Sequence, residues 1–371
     1  MSYAEIDGKV LEIMRNSHVL VPSPLIMGPD GEFLEKYHRL LTEYYAQAGA
    51  SAVIVGAHTG QFARQDLDLY KAWLKLVNQV IDPFVAAGKM FRMASVGGPR
   101  AMEMAKIAQE QNQDIVMVAP SAFGERDEIE SVKYLREMAE VIPVLDFYLQ
   151  PAVGGKVFSP LYWFNTFDFA YGAKAAPFNR ELTDDLMYAA LRSHRLAQLF
   201  MVTGNDDNIV RDLIRTWKHP DYPGGSLRMT AGLLGHFATD THAAVKMVTF
   251  LKRYRDNPEI ENPYPVDVDT LAEQVTFMNF VLFDTIRHEN KAPYENCVYG
   301  VHCRLSQLGL VPKDTDILWI PKDESQKVRI EDGRSNLCDE IRIVYDNMPH
   351  LTDDDFVRGI LPALREKYGL D

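Results

Sequence analysis

The chain has 371 residues, 47% hydrophobic and 25% charged, an ordinary globular composition long enough for one large barrel-type domain with an extension, or for two domains. A net charge of −13 and a pI near 5.3 argue against nucleic acid or an anionic membrane as the main partner. No run reaches the roughly 18–20 uninterrupted apolar residues that span a bilayer, and the opening "MSYAEIDGKVLEIMRNSHVLV" lacks the basic-then-apolar pattern of a secretory signal.

Along the chain, short apolar runs alternate with longer amphipathic ones. The first predicted strand, "HVLVPSPLI" (18–26), is followed by "EFLEKYHRLLTEYYAQAG", whose Phe33, Tyr37, Leu40, Leu41 and Tyr44 recur at helical spacing and whose Gly49 reads as a C-cap. "SAVIVGA" (51–57) then precedes the helix-like "DLDLYKAWLKLVNQVIDPFVAAG", and "MFRMASVG" (90–97) precedes "GPRAMEMAKIAQEQNQ". "DIVMVAP" (114–120) leads into "ERDEIESVKYLREMAEV". "VIPVLDFYL" (141–149) is separated by the short aromatic unit "SPLYWFNTF" from "FDFAYGAKA" (167–175). "TDDLMYAALRSHR" opens on a Thr N-cap signal with acidic residues in its first turn. "QLFMVTG" (198–204) and "LRMTAGLL" (227–234) complete eight strand candidates. They lack polar alternation, as parallel strands covered by helices do. Eight such units predict a (β/α)8 barrel over residues 1–240; an open doubly wound sheet is disfavoured because no G-x-G-x-x-G follows the first strand.

After residue 240 the strand signal stops. "THAAVKMVTFLKRYRD", "DVDTLAEQVTFMNFVLFDTIRHEN", "CVYGVHCRLSQLGLV" and the acidic end "DEIRIVYDNMPHLTDDDFVRGILPALREKYGLD" read as helices, so residues 241–371 form a helical region packed on the barrel. The three cysteines, Cys297, Cys303 and Cys338, are odd in number and scattered, which fits reduced thiols and a cytoplasmic location. Cys297 and Cys303 stand six apart, too wide for a zinc ligand pair, and neither a metal nor a cofactor is expected.

In a barrel of this kind the chemistry lies at the C-terminal ends of the strands. Those positions bring "GAHTGQF" with His58, Thr59 and Gly60, "FYLQPAVGG" with Tyr148, "AYGAKAAPF" with Lys174, "GNDDN" with Gly204, Asn205 and Asp206, and "GLLGHF" with His236. Lys174 stands alone among small, apolar and aromatic neighbours. It is a surface lysine reaching solvent, a buried ion-pair partner, or a reactive amine. In the third case burial disfavours the ammonium, and the neutral amine attacks a carbonyl to form a Schiff base. Tyr148 would then move protons, and Thr59 with loop amides would hold a carboxylate. The bland alternatives are a core tyrosine, turn residues at Thr59 and Gly60, and a helix cap at Asp206 and Asp207.

Taken in order over residues 18–250, these motifs resemble the dihydrodipicolinate synthase / N-acetylneuraminate lyase family of Schiff-base lyases. "GAHTGQF" resembles the family's "G-(S/T)-T-G-E", "FYLQPAVGG" its "Y-N-x-P-x-x-x-G", "AYGAKAAPFN" its "G-I-K-(D/E)-(S/T)", and "VTGNDDNIVRDL" its "G-x-D-(D/E)". The resemblance implies a class I aldolase or lyase for a 2-keto acid of the pyruvate type. It assigns Lys174 as nucleophile, Tyr148 as acid/base, and Thr59 with neighbouring backbone amides as the carboxylate cradle; His58, Gly60, Gly204, Asn205 and Asp206, at the same strand ends, are the further substrate-binding candidates. It also implies a homo-oligomer, dimer or tetramer. The chain departs from the pattern at His58, which replaces a hydroxyl, and at Gln61, Ala122 or Phe123, Val153 and Ala176. Those departures argue against dihydrodipicolinate synthesis. A sugar-acid dehydratase or hydratase-aldolase, and a catalytically silent ligand-binding barrel, are the alternative readings.

Overall fold

The computed structural model describes residues 3–61, 66–219, 225–284, 297–315 and 335–370. Its strands are β1 (Val19–Pro22), β2 (Ala52–Val55), β3 (Met93–Val96), β4 (Ile115–Val118), β5 (Val144–Leu149), β6 (Gly172–Ala176), β7 (Phe200–Thr203), β8 (Trp217–Lys218), β9 (Ser226–Leu227) and β10 (Ala231–Leu233). Seven of the eight barrel strands run β1 to β7 in sequence, and β10 closes the ring between β7 and β1, all pairs parallel. The expected (β/α)8 barrel is therefore the fold. β8 and β9 form a small antiparallel ribbon before the closing strand, so the eighth predicted strand, 227–234, is split between β9 and β10.

Both faces of the barrel strands are buried. Leu20, Ile54, Met93, Met117, Leu145, Phe147 and Val202 fill the interior, while Val19, Val21, Val53, Val55 and Val116 pack under the surrounding helices. This double burial removes the polar alternation that an exposed sheet would show. The helix Gly8–Asn16 carries Met14 into the interior cluster, with Val10, Leu11 and Ile13 against it, and so fills one end of the barrel.

The helices start and stop on local chemistry. Gly49 ends the helix Glu35–Ala48 at φ 95°, a left-handed conformation that suits glycine. Asp127 and Glu130 form a reciprocal capping box at the start of the helix Glu128–Val141. The Thr N-cap expected for the next long helix is corrected. The helix spans Arg180–Leu191, and Asn179 caps it by accepting the Leu182 N–H at 3.0 Å, while the Thr183 hydroxyl donates back to the Asn179 carbonyl.

After the barrel come the helices Thr241–Asp256, Val268–Leu282, Cys297–Gln307, Ser335–Asp346 and Asp354–Tyr368. An ion-pair network ties them to the barrel. The buried Arg304 guanidinium donates to Asp240 at 2.7 and 3.1 Å and to Asp354 at 2.6 Å. Asp353 in turn accepts the Tyr44 hydroxyl and the His242 and Ala243 amides, each at 2.7 Å. The expectation of three reduced thiols is also corrected: Cys303 and Cys338 form a disulfide joining two of these helices, and Cys297 is the free, buried cysteine. A pairing between helices that meet only in the tertiary fold leaves no trace in cysteine spacing. Among the described residues no helix is long and apolar enough to cross a membrane.

Candidate active site

Strand register sets the site. In the parallel barrel Lys174 pairs with Phe147 on one side and Val202 on the other, and all three point inward. The Nζ of Lys174 lies 4.1 Å from the Phe147 ring centroid, a cation–π contact. No hydrogen-bond partner holds Nζ among the described residues. Gly204, at the end of β7, makes room for the lysine: a Cβ there would stand 2.3 Å from Lys174 Cε. Burial pulls the ammonium pKa down to about 8, against the opposing pull of Asp206 and Cys297. Burial likewise pushes the Asp206 carboxyl up to about 8, with Lys174 opposing it. The two groups titrate as a pair.

Lys174 opens onto a cavity of about 60 Å³ at the C-terminal mouth of the barrel. On this measure that is room for roughly four to six waters. Of the candidates named from sequence, Thr59, His58, Gly204 and Asp206 line it. Thr59 donates its hydroxyl to the Pro22 carbonyl at 2.7 Å, so a ligand meets it only as an acceptor. Asp206 does not cap the following helix, whose N-cap is Asn208; its Oδ1 lies buried without a hydrogen-bond partner.

Three expected site residues are not brought to the cavity. Gly60 is packed between the Ser23 carbonyl and Trp73. Asn205 turns into the loop scaffold, donating to Asp212 at 2.8 Å and Thr183 at 3.2 Å and accepting the Phe178 N–H at 3.1 Å. Tyr148 is the larger correction. It alternates with Phe147 and Leu149 and therefore faces outward, 4.8 Å from Trp163 between ring centroids. Its hydroxyl accepts the Phe158 N–H at 3.4 Å, and its neighbour Asp146 accepts the Tyr162 hydroxyl at 2.7 Å on the same outer face. The aromatic unit after β5 is thus a cover for the barrel exterior. On the Schiff-base expectation, Tyr148→Phe leaves keto-acid trapping at Lys174 within about threefold of wild type, against the 100- to 10,000-fold loss that marks a general acid–base residue. A loss of that size in a trapping time course would restore the tyrosine to the chemistry.

Sequence reasoning missed Gln150, Phe283 and Cys297, which also line the cavity. Gln150 is 8% exposed and its Nε2 has no hydrogen-bond partner, so a donor waits inside the site. Phe283 follows the helix Val268–Leu282 and Cys297 lies on the helix Cys297–Gln307, so the C-terminal region forms part of the cavity wall. The Cys297 thiol lies 3.3 Å from His58 Nδ1. Burial and the Asp206 charge push its pKa up, while Lys174 pulls the other way.

Fold and site define a parallel (β/α)8 barrel with a lysine of lowered pKa at the C-terminal end of its strands. No family model and no curated protein sequence matches the chain. Among solved structures it is similar to the dihydrodipicolinate synthase of Bacteroides thetaiotaomicron, with a TM-score of 0.68 at 15% identity, covering 90% of this chain and 98% of that one. It is similar to YagE, an E. coli K12 prophage protein of the dihydrodipicolinic acid synthase family solved in complex with pyruvate, at TM-score 0.67 and 14% identity over 90% and 98% of the two chains. The N-acetylneuraminate lyase of Mycoplasma synoviae gives 0.62 and 14% over the same shares. The fold of these lyases and synthases is the fold of this chain.

Proposed function

We propose that the protein is a class I, metal-independent lyase or aldolase whose Lys174 forms a Schiff base with a small 2-keto acid. The observation that carries this reading is the Lys174 amine, stripped of hydrogen-bond partners among the described residues and facing a small cavity. The neutral amine attacks the keto carbon, the carbonyl oxygen leaves as water, and the resulting iminium draws electrons from the adjacent carbon. The Gln150 amide supplies a hydrogen bond for the keto acid's carboxylate, and Asp206 balances the iminium charge. The cavity volume favours a three- or four-carbon acid over a sugar acid. Val153, also on the cavity wall, offers no charge to a second carboxylate.

Incubation with pyruvate and borohydride, followed by peptide mass analysis, tests the proposal. A reduced pyruvyl adduct on Lys174 is expected; an unmodified Lys174 across three- and four-carbon keto acids overturns it. The lowered lysine pKa also sets a pH profile. The neutral amine fraction rises with pH and reaches half near pH 8 instead of near 10.5. At subsaturating pyruvate, cyanoborohydride trapping should therefore climb about tenfold per pH unit below that point and level off above it. A climb that continues through pH 10 would place the amine in an ordinary solvated environment. A homo-oligomer, dimer or tetramer, belongs to the same reading. It is supported by the exposed Ile129, Val157, Leu161 and Phe164 around the helix Pro160–Thr166, and light scattering measures it.

A further inference from the structure

Once Tyr148 is turned out of the barrel, the proposed imine chemistry lacks an obvious group to move the proton on the carbon next to the keto carbon. Phe147, beside Lys174, has no transferable proton, and the Thr59 hydroxyl already donates to Pro22. Asp206 sits with Lys174 as its counter-charge. Among the described residues the remaining pair is Cys297, a buried thiol in the cavity wall, and His58, which lies 3.3 Å from the sulfur and is exposed to solvent. Thiol, imidazole and solvent thus form a path out of the cavity. That the cavity is built for a ligand is shown separately by Gln150 Nε2 and Asp206 Oδ1, each on a side chain 8% exposed and each without a hydrogen-bond partner.

We propose that Cys297, backed by His58, is the acid–base residue that moves the C3 proton of the keto acid bound to Lys174. This inference rests on the Schiff-base reading. Iminium formation fixes a positive charge beside the thiol and favours its ionisation. The S–H proton passes to the His58 imidazole, and the thiolate takes the proton from C3. The C–H electron pair becomes the C=C bond of an enamine as the C=N π pair returns to nitrogen. Reversal protonates the enamine carbon and returns the proton from His58 to sulfur.

The test follows pyruvate alone in D2O by proton NMR, with borohydride trapping in parallel. Wild type is expected to be trapped and to exchange the methyl protons. Cys297→Ala is expected to be trapped still, but to exchange about 100-fold more slowly or worse. Cys297→Ser, of similar size, controls for packing and is expected to lose about as much, because an alkoxide is far harder to form than a thiolate. Exchange by Cys297→Ala within about threefold of wild type overturns the thiol's role and leaves the Schiff-base reading standing. Loss of trapping in both variants overturns it too, since the thiol then only holds the site together. A wild type that is trapped but does not exchange also overturns it. A wild type that is neither trapped nor exchanging removes both readings.

Discussion

A Lys174→Met variant incubated with pyruvate and borohydride should keep its unmodified mass, under conditions that label the wild type at Lys174. Methionine fills similar space without an amine, so the loss reports chemistry and not packing. Stability should move the other way. An ammonium in this position is costly enough to pull its pKa down to about 8, and removing it removes that cost. Asp206, whose carboxyl is already pushed upward, can take a proton when its counter-charge goes. The variant is therefore expected to melt at or above the wild-type temperature. This is the trade common at active sites, where function keeps a destabilising group in place. A variant that is inactive and also melts several degrees lower would make Lys174 a structural ion-pair partner.

Arg304→Ala is expected to lose about 3–5 kcal/mol of stability in chemical denaturation, because it leaves the buried Asp240 carboxylate without its cation. Asp240 accepts two of the guanidinium's hydrogen bonds and is 1% exposed; the arginine is 2% exposed. The Arg304 guanidinium also lies over the Tyr345 ring at 4.8 Å, so stacking is lost with the charge. Replacing both partners, as in Asp240→Asn with Arg304→Met, should recover part of the loss, because the buried Asp240 charge goes with its cation, while Asp354, which also loses the arginine, is 44% exposed. A loss below about 1 kcal/mol for the single variant would mean that water reaches the site and the pair counts as a surface bridge.

The barrel was legible because its strands are buried on both faces and therefore read as short apolar runs at regular intervals. The cavity positions of Gly204 and Lys174 were legible for a related reason: each breaks the pattern of its own strand end. What failed was parity. Strand β5 presents Phe147 and Tyr148 side by side, and only the register with β6 decides which of them meets Lys174. A tyrosine is the chemically attractive choice, and the pleat gives the place to the phenylalanine. Asn179 was passed over as a helix cap because the acidic turn after Thr183 is the louder signal. Cys297 and Phe283 were invisible as site residues because they come from helices beyond the barrel. No local spacing says that a helix starting at residue 297 closes over a lysine at 174. The Cys303–Cys338 bridge escaped for the same cause.

The placement of Phe283 and Cys297 divides the pocket by origin. Its floor is written into the strands, where Lys174 is locked by Phe147 and by the missing Cβ of Gly204, and where almost any change disturbs the barrel. Its roof is written into a later stretch of chain, anchored through Arg304 and a disulfide that lie away from the cavity. The roof can therefore change while Lys174 stays still. On the proposed Schiff-base reading, substitutions in the roof change which leaving group or acceptor the cavity admits and leave the electron sink untouched.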